Sequence, residues 1–81
     1  MKTLTLLYFA HLRDLVGTSE ERVETNATTI AELRNELETH HAALAGRWAS
    51  IRFAKNEAFA ADEDALADGD VVALLPPVAG G

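Results

Sequence analysis

The run Pro76-Pro77-Val78-Ala79-Gly80-Gly81 is the part of this sequence best suited to chemistry. Each proline holds φ at about −65° and lacks an N–H, so the segment leaves a preceding strand in extended form and cannot fold back as helix. Gly80 and Gly81 have no Cβ, which lets them enter a slot too narrow for other residues and take backbone angles closed to those residues. A thin, projecting segment of this kind suits reaction at a carboxyl group carried by Gly81 itself. A carboxylate is a poor acyl donor until its oxygen becomes a leaving group, so this reading requires that the carboxylate be activated. The competing reading is an end of small residues with no role, of the sort that frays on many domains.

Other chemistry is scarce. Cysteine is absent, which excludes disulfides, thiolate metal sites and a nucleophilic thiol, and gives no sign of secretion. His40 and His41 are adjacent, and neighbours on a helix point about 100° apart, a poor geometry for chelating one ion, so no metal is expected. Asp62, Glu63 and Asp64 lack the alternating spacing and the glycine of a calcium loop. Glycine-rich phosphate cradles, hydrolase elbows and redox motifs are missing.

The charge balance limits the partners. With 13 acidic and 7 basic side chains, a net charge of −6 repels phosphate backbones and anionic lipid, so neither nucleic acid nor membrane is an expected partner. The apolar runs are short, and Met1-Lys2-Thr3 opens directly into a strand pattern rather than a signal peptide; a cytoplasmic protein is expected. From Glu57 to Asp70 the charges are Glu57, Asp62, Glu63, Asp64, Asp68 and Asp70, with no base among them. Solvated loop is the ordinary reading of such a run, and steering toward a basic partner is the other.

The elements that must position the terminal segment can be read in outline. Thr3 to Phe9 is rich in β-formers, begins with strict alternation and then becomes apolar on both faces, as in a central strand. Ala10 to Val16 places Leu12, Leu15 and Val16 at helical spacing and is closed by Gly17. Arg22 to Thr25 reads as a short strand. Thr29 with Glu32 has capping-box form and opens the main helix. Ile30, Leu33, Leu37 and Leu44 share its apolar face, with Gly46 as its stop. On that helix Arg34 and Glu38 are spaced to pair, Glu32 and Glu36 to repel. Trp48 is expected to cover the helix base.

Ile51 to Ala54, a turn at Lys55-Asn56 and Glu57 to Ala60 make a hairpin. After Leu66 and the turn Asp68-Gly69-Asp70, Val71 to Leu75 is apolar throughout, the pattern of a buried strand. The whole is an α+β pattern that fits the β-grasp: a mixed sheet with one main helix and a short extra helix. Residues 1–75 form the domain and 76–81 its extended tail. A parallel pairing of first and last strands satisfies the right-handed crossover rule and sends the tail off the sheet.

These residues together resemble the MoaD family, the ubiquitin-like sulfur-carrier small subunits of molybdopterin synthase. The resemblance runs nearly end to end. Tyr8-Phe9-Ala10 with Leu12-Arg13 and Gly17, then Thr29 and Leu33, and Ala54 with Asn56 stand where the family pattern has them. The close, Leu66, Asp68-Gly69-Asp70, Val72 and Pro76 to Gly81, is the most specific part. Leu74-Leu75 departs from it, since many members carry aromatics before the diproline.

The resemblance implies that a ubiquitin-activating-type adenylyltransferase, using ATP and magnesium, adenylates the Gly81 carboxylate. A sulfur donor then makes it a thiocarboxylate. The tail would enter the synthase large subunit and pass sulfur to cyclic pyranopterin monophosphate. The chain itself would bind no cofactor and be non-catalytic alone. The resemblance also offers Phe9, Phe59 and Leu75 as an apolar docking face, although as strand residues they read equally as core. Related sulfur carriers for thiazole synthesis or tRNA thiolation, a protein modifier joined to lysines through Gly81, and an inert interaction module are the competing functions. The segment Ala10 to Gly17 and the diproline favour the molybdopterin reading over the thiazole one.

Overall fold

A computed structural model describes residues 1–76. Five strands form one mixed sheet: β1 (Lys2–Tyr8), β2 (Glu20–Thr25), β3 (Arg52–Lys55), β4 (Ala58–Ala60) and β5 (Val71–Leu75), in the order β2-β1-β5-β3-β4. β1 and β5 are parallel neighbours at the centre, and the other pairings are antiparallel. The main helix α2 (Ile30–His40) lies on one face, and the short α1 (His11–Val16) follows β1. This is the β-grasp architecture.

The core sits between the sheet and α2. Leu4, Leu6 and Tyr8 of β1 and Val72 and Leu74 of β5 point to the same side, as the period of two in a strand requires. Ile30, Leu33 and Leu37 meet them from α2, and Leu12, Leu44, Phe53 and Leu66 fill the ends. Thr29 caps α2 by accepting from the Glu32 amide at 3.3 Å. The return bond of the capping box is displaced by one residue: the Glu32 carboxylate accepts from the Thr28 amide at 2.7 Å.

Several details correct the sequence reading. β2 begins at Glu20, and β1 spans Lys2–Tyr8, leaving Phe9 just beyond it. α2 stops at His40, six residues short of Gly46; the His41 ring turns back to bond Glu21 at 3.0 Å and to pack edge-on against Tyr8. Leu44 is buried nonetheless, carried by a separate 3-10 turn, Ala42–Leu44. The hairpin turn is Asn56-Glu57 rather than Lys55-Asn56, with φ of 50° and 72°, a primed two-residue turn matched to strand twist. Arg34 does not pair with Glu38; it bonds Asp62 at 2.7 Å, while Glu38 accepts the Trp48 indole N–H at 2.6 Å. Trp48 stacks on Phe53 near the helix end.

The acidic run is structured rather than merely solvated. The first amides of α2, Ile30 and Ala31, donate to the carbonyls of Asp64 and Asp62. Asp68 accepts from the Thr3 amide at 2.7 Å and Asp70 from the Ala67 amide at 2.8 Å. The Ala67 amide, with help from Asn56, holds the Asp70 carboxyl below the usual range despite its burial. Asn56 also accepts from the Val71 amide at 2.9 Å, which fixes the hairpin tip to the start of β5.

Candidate functional site

No described element packs on the face of the sheet away from α2. Register places Leu7, Ala73, Ala54 and Phe59 in one row across β1, β5, β3 and β4, all pointing to that side. Ala54 and Ala73 are small and make a floor, and the larger side chains around them leave a concavity of about 410 Å³. Phe59 is 70% exposed, Phe9 44% and Val71 38%, so this is a contiguous apolar patch on the surface. The Arg52 guanidinium lies 4.8 Å from the centre of the Phe59 ring, a cation–π contact that holds the ring over the floor.

The backbone explains where Phe9 goes. Its amide donates to the Leu74 carbonyl at 3.2 Å, continuing the parallel ladder. Ala10 then takes φ of 52° and ψ of −135°, a region side chains rarely adopt, and the chain turns into α1. Phe9 is thereby left beside Leu75, the last residue of β5, whose own side chain is half-buried. Phe9, Phe59 and Leu75 thus share one surface, with Phe59 across the alanine floor from the other two. Pro76 follows at the margin of the face. Pro77, Val78, Ala79, Gly80 and Gly81 lie outside the described residues.

Among the described residues the lining of this surface holds one ionisable side chain, the exposed Glu57 carboxylate, and no Ser, Thr, Cys, Lys or His. Among the described residues no group of three metal-ligating side chains comes together. What it offers is apolar area next to the root of the Gly-Gly segment, which suits docking rather than catalysis. Leu7, Val71, Ala73 and Arg52 belong to this surface and were not singled out from sequence. Their signal was parity: once β1 and β5 are paired in parallel, every second residue of each falls on the open side.

A second side-chain network lies on the opposite, α2-covered face of the sheet. Tyr8 donates its hydroxyl to Glu21 at 2.8 Å, and His41 bonds the same oxygen at 3.0 Å. Burial pushes the Tyr8 phenol far above its ordinary value, with the Glu21 carboxylate adding to the effect. Burial acts to raise Glu21 as well, but the bonds from His41 and Tyr8 outweigh it and hold that carboxyl low.

The ThiS family model matches residues 6–81. The chain belongs to the ThiS family. As a member of it, the chain is 37% identical over 84 residues to the molybdopterin synthase sulfur carrier subunit of Escherichia coli (strain K12), with 96% of this chain and 99% of that protein covered. The crystal structure of the H. volcanii small archaeal modifier protein 1 superposes with a TM-score of 0.86 at 29% identity, covering 96% of this chain and 100% of that one. A complex of subunits 1 and 2 of molybdopterin-converting factor from Helicobacter pylori 26695 also matches, with a TM-score of 0.70 at 26% identity over 98% and 99% of the two chains. No helix among the described residues is long and apolar enough to cross a membrane.

Proposed function

We propose that this chain is the sulfur carrier subunit of a molybdopterin synthase, with the carboxyl group of Gly81 as its reactive centre. The observation that carries the reading is the nearly full-length match to a sulfur carrier subunit at 37% identity. An apolar face beside the root of a Gly-Gly segment fits it physically. The carboxylate attacks the α-phosphorus of ATP bound with magnesium by an adenylyltransferase, releasing pyrophosphate. A sulfur donor displaces AMP and leaves a thiocarboxylate. The face then docks on the large subunit, and the thin segment delivers sulfur to cyclic pyranopterin monophosphate. In this cycle the chain alone turns over no pterin, binds neither ATP nor magnesium itself, and works in the cytoplasm.

Deleting Gly81 tests the proposal. The deletion draws the reacting carbon back by up to about 3.5 Å, and misplacement on the order of 1 Å already costs about a hundredfold in rate. Incubated with activating enzyme, ATP and a sulfur donor, the wild-type chain is expected to gain the mass difference of sulfur for oxygen and then to support molybdopterin formation. If the deletion variant does both equally well, Gly81 is not the reactive centre. The likeness to a small archaeal modifier protein favours a second reading, attachment of Gly81 to lysines of other proteins. Recovery of such conjugates, lost with Gly81, would select it.

A further inference from the structure

β2 is an edge strand, and its outer side is open. The Tyr8 amide donates to the Ser19 carbonyl at 2.9 Å. With Leu6 opposite Glu21 and Leu4 opposite Val23, the alternation of an antiparallel ladder turns the backbone groups of Glu21, Val23 and Thr25 toward β1. Those of Glu20, Arg22 and Glu24 therefore point outward. Thr18 occupies Glu20: its hydroxyl donates to the Glu20 carbonyl at 2.9 Å and accepts from the Glu20 amide at 3.4 Å. The N–H and C=O of Arg22 and of Glu24 have no partner among the described residues.

Beside this edge lies a groove of about 420 Å³ between β2 and α2. Its floor is apolar, from Val23, Leu33 and Leu37, and its rim carries three carboxylates, Glu21, Glu24 and Glu36, with the imidazoles of His40 and His41 beside them. The Tyr8 and His41 bonds both fall on Glu21 Oε1, and the Thr25 hydroxyl bonds Glu36 Oε2. Glu21 Oε2 and Glu36 Oε1 remain without a protein partner among the described residues.

We propose that the β2 edge and this groove form a docking surface, separate from the apolar face, for an extended segment of a partner protein bearing arginine or lysine at alternate positions. An extended backbone is what the outward groups of Arg22 and Glu24 can pair with. Side chains on its groove side recur every second residue. The aliphatic stem of an arginine covers the floor while its head reaches the spare carboxylate oxygens. The net charge of −6 draws such a segment in. A second copy of this chain is a poorer occupant, because its β2 would bring Glu20, Glu21 and Glu24 toward the same acidic rim.

The test is a titration of the isotope-labelled full chain with an extended peptide of alternating arginine and valine, followed by amide chemical shifts. Shifts are expected at Arg22 and Glu24 and along the groove side of α2. Arg22→Pro removes one outward N–H without touching the β1 ladder, and Glu36→Gln removes one rim charge. Each is expected to weaken binding by about tenfold or more, a difference of about 1.4 kcal/mol. Equal binding of the peptide with glutamate in place of arginine, wild-type affinity in both variants, or shifts confined to Leu7 and Phe59 would overturn the proposal. So would the same shifts appearing with rising chain concentration and no peptide, which would make a second copy the occupant. The readout is binding, so it stands or falls separately from sulfur transfer.

Discussion

The two faces of the sheet are built from the same strands, and in β5 both are apolar, yet among the described residues only one is filled. On the α2 side Leu4, Leu6, Val72 and Leu74 are fully buried, whereas on the other Phe59 is 70% exposed and Val71 38%. Apolar area left in water forgoes roughly 25 cal/mol per Å². A strand that is apolar on both faces therefore need not be buried on both by its own chain. In β5 one parity supplies stability, and the other supplies a surface that something else must cover.

That division is broken most directly by truncating one residue from each side. Leu33→Ala, at a position 1% exposed beneath the sheet, is expected to cost about 2 to 5 kcal/mol in urea unfolding. Phe59→Ala is expected to stay within about 0.5 kcal/mol of the wild-type stability, as exposed positions generally do. Comparable losses at the two sites would mean that the open face is part of the folding core.

For binding, the ranking should invert. Phe59→Ala removes the most exposed large apolar side chain lining the open face and is expected to weaken association with the synthase large subunit about tenfold or more. Adenylation of Gly81 should remain measurable in the same variant. Calorimetric titration giving unchanged affinity would take Phe59 out of the interface and leave the open face without its assigned partner.

The α2 side of the sheet also carries the titrating groups, so its stability should depend on pH at both extremes. Glu21 and Asp70 have folded values below their unfolded ones; the stability they give is present above about pH 4 and is lost as pH falls through the folded values. Tyr8 is shifted the other way. Its contribution is complete below the unfolded value of about 10 and declines as pH rises beyond it. Thermal melts should show both limbs, and Tyr8→Phe should flatten the alkaline one most while also weakening the acid one, because the Tyr8 hydroxyl is one of the two bonds that hold Glu21 low. An unchanged alkaline limb in that variant would place the responsible group elsewhere.

Much of this was legible in the sequence because it rests on local chemistry. Thr29 caps α2, Gly17 closes α1 with φ of 95°, and Val71 to Leu75 form the last strand. The parallel pairing of β1 and β5, which the sequence reading found compatible with the right-handed crossover rule, is present. What was not legible depended on contacts between distant residues. Leu44 continues the helical period, but His41 leaves it to reach Glu21, so α2 ends early. Whether Phe9, Phe59 and Leu75 were core or surface could not follow from residue type, since it turns on which side α2 covers. Gly81 was singled out by its chemistry alone and lies beyond the described residues.

The smallest effect concerns the ion pair on the exposed flank of α2. Helical spacing assigned Arg34 to Glu38, but Arg34 reaches Asp62 at 2.7 Å instead, with the two side chains 28% and 57% exposed. Pairs in that environment contribute about 0 to 1 kcal/mol, because water and salt screen the attraction and two long side chains must be held in one geometry. The carbonyls of Asp62 and Asp64 already bind the first amides of α2, so the loop keeps its hold on the helix without the side-chain pair. Arg34→Ala is therefore expected to cost under about 1 kcal/mol in low salt and less in high salt. A loss near that of Leu33→Ala, undiminished by salt, would mean that charge rather than burial fixes the helix to its side of the sheet, and the contrast between the two faces would have to be drawn differently.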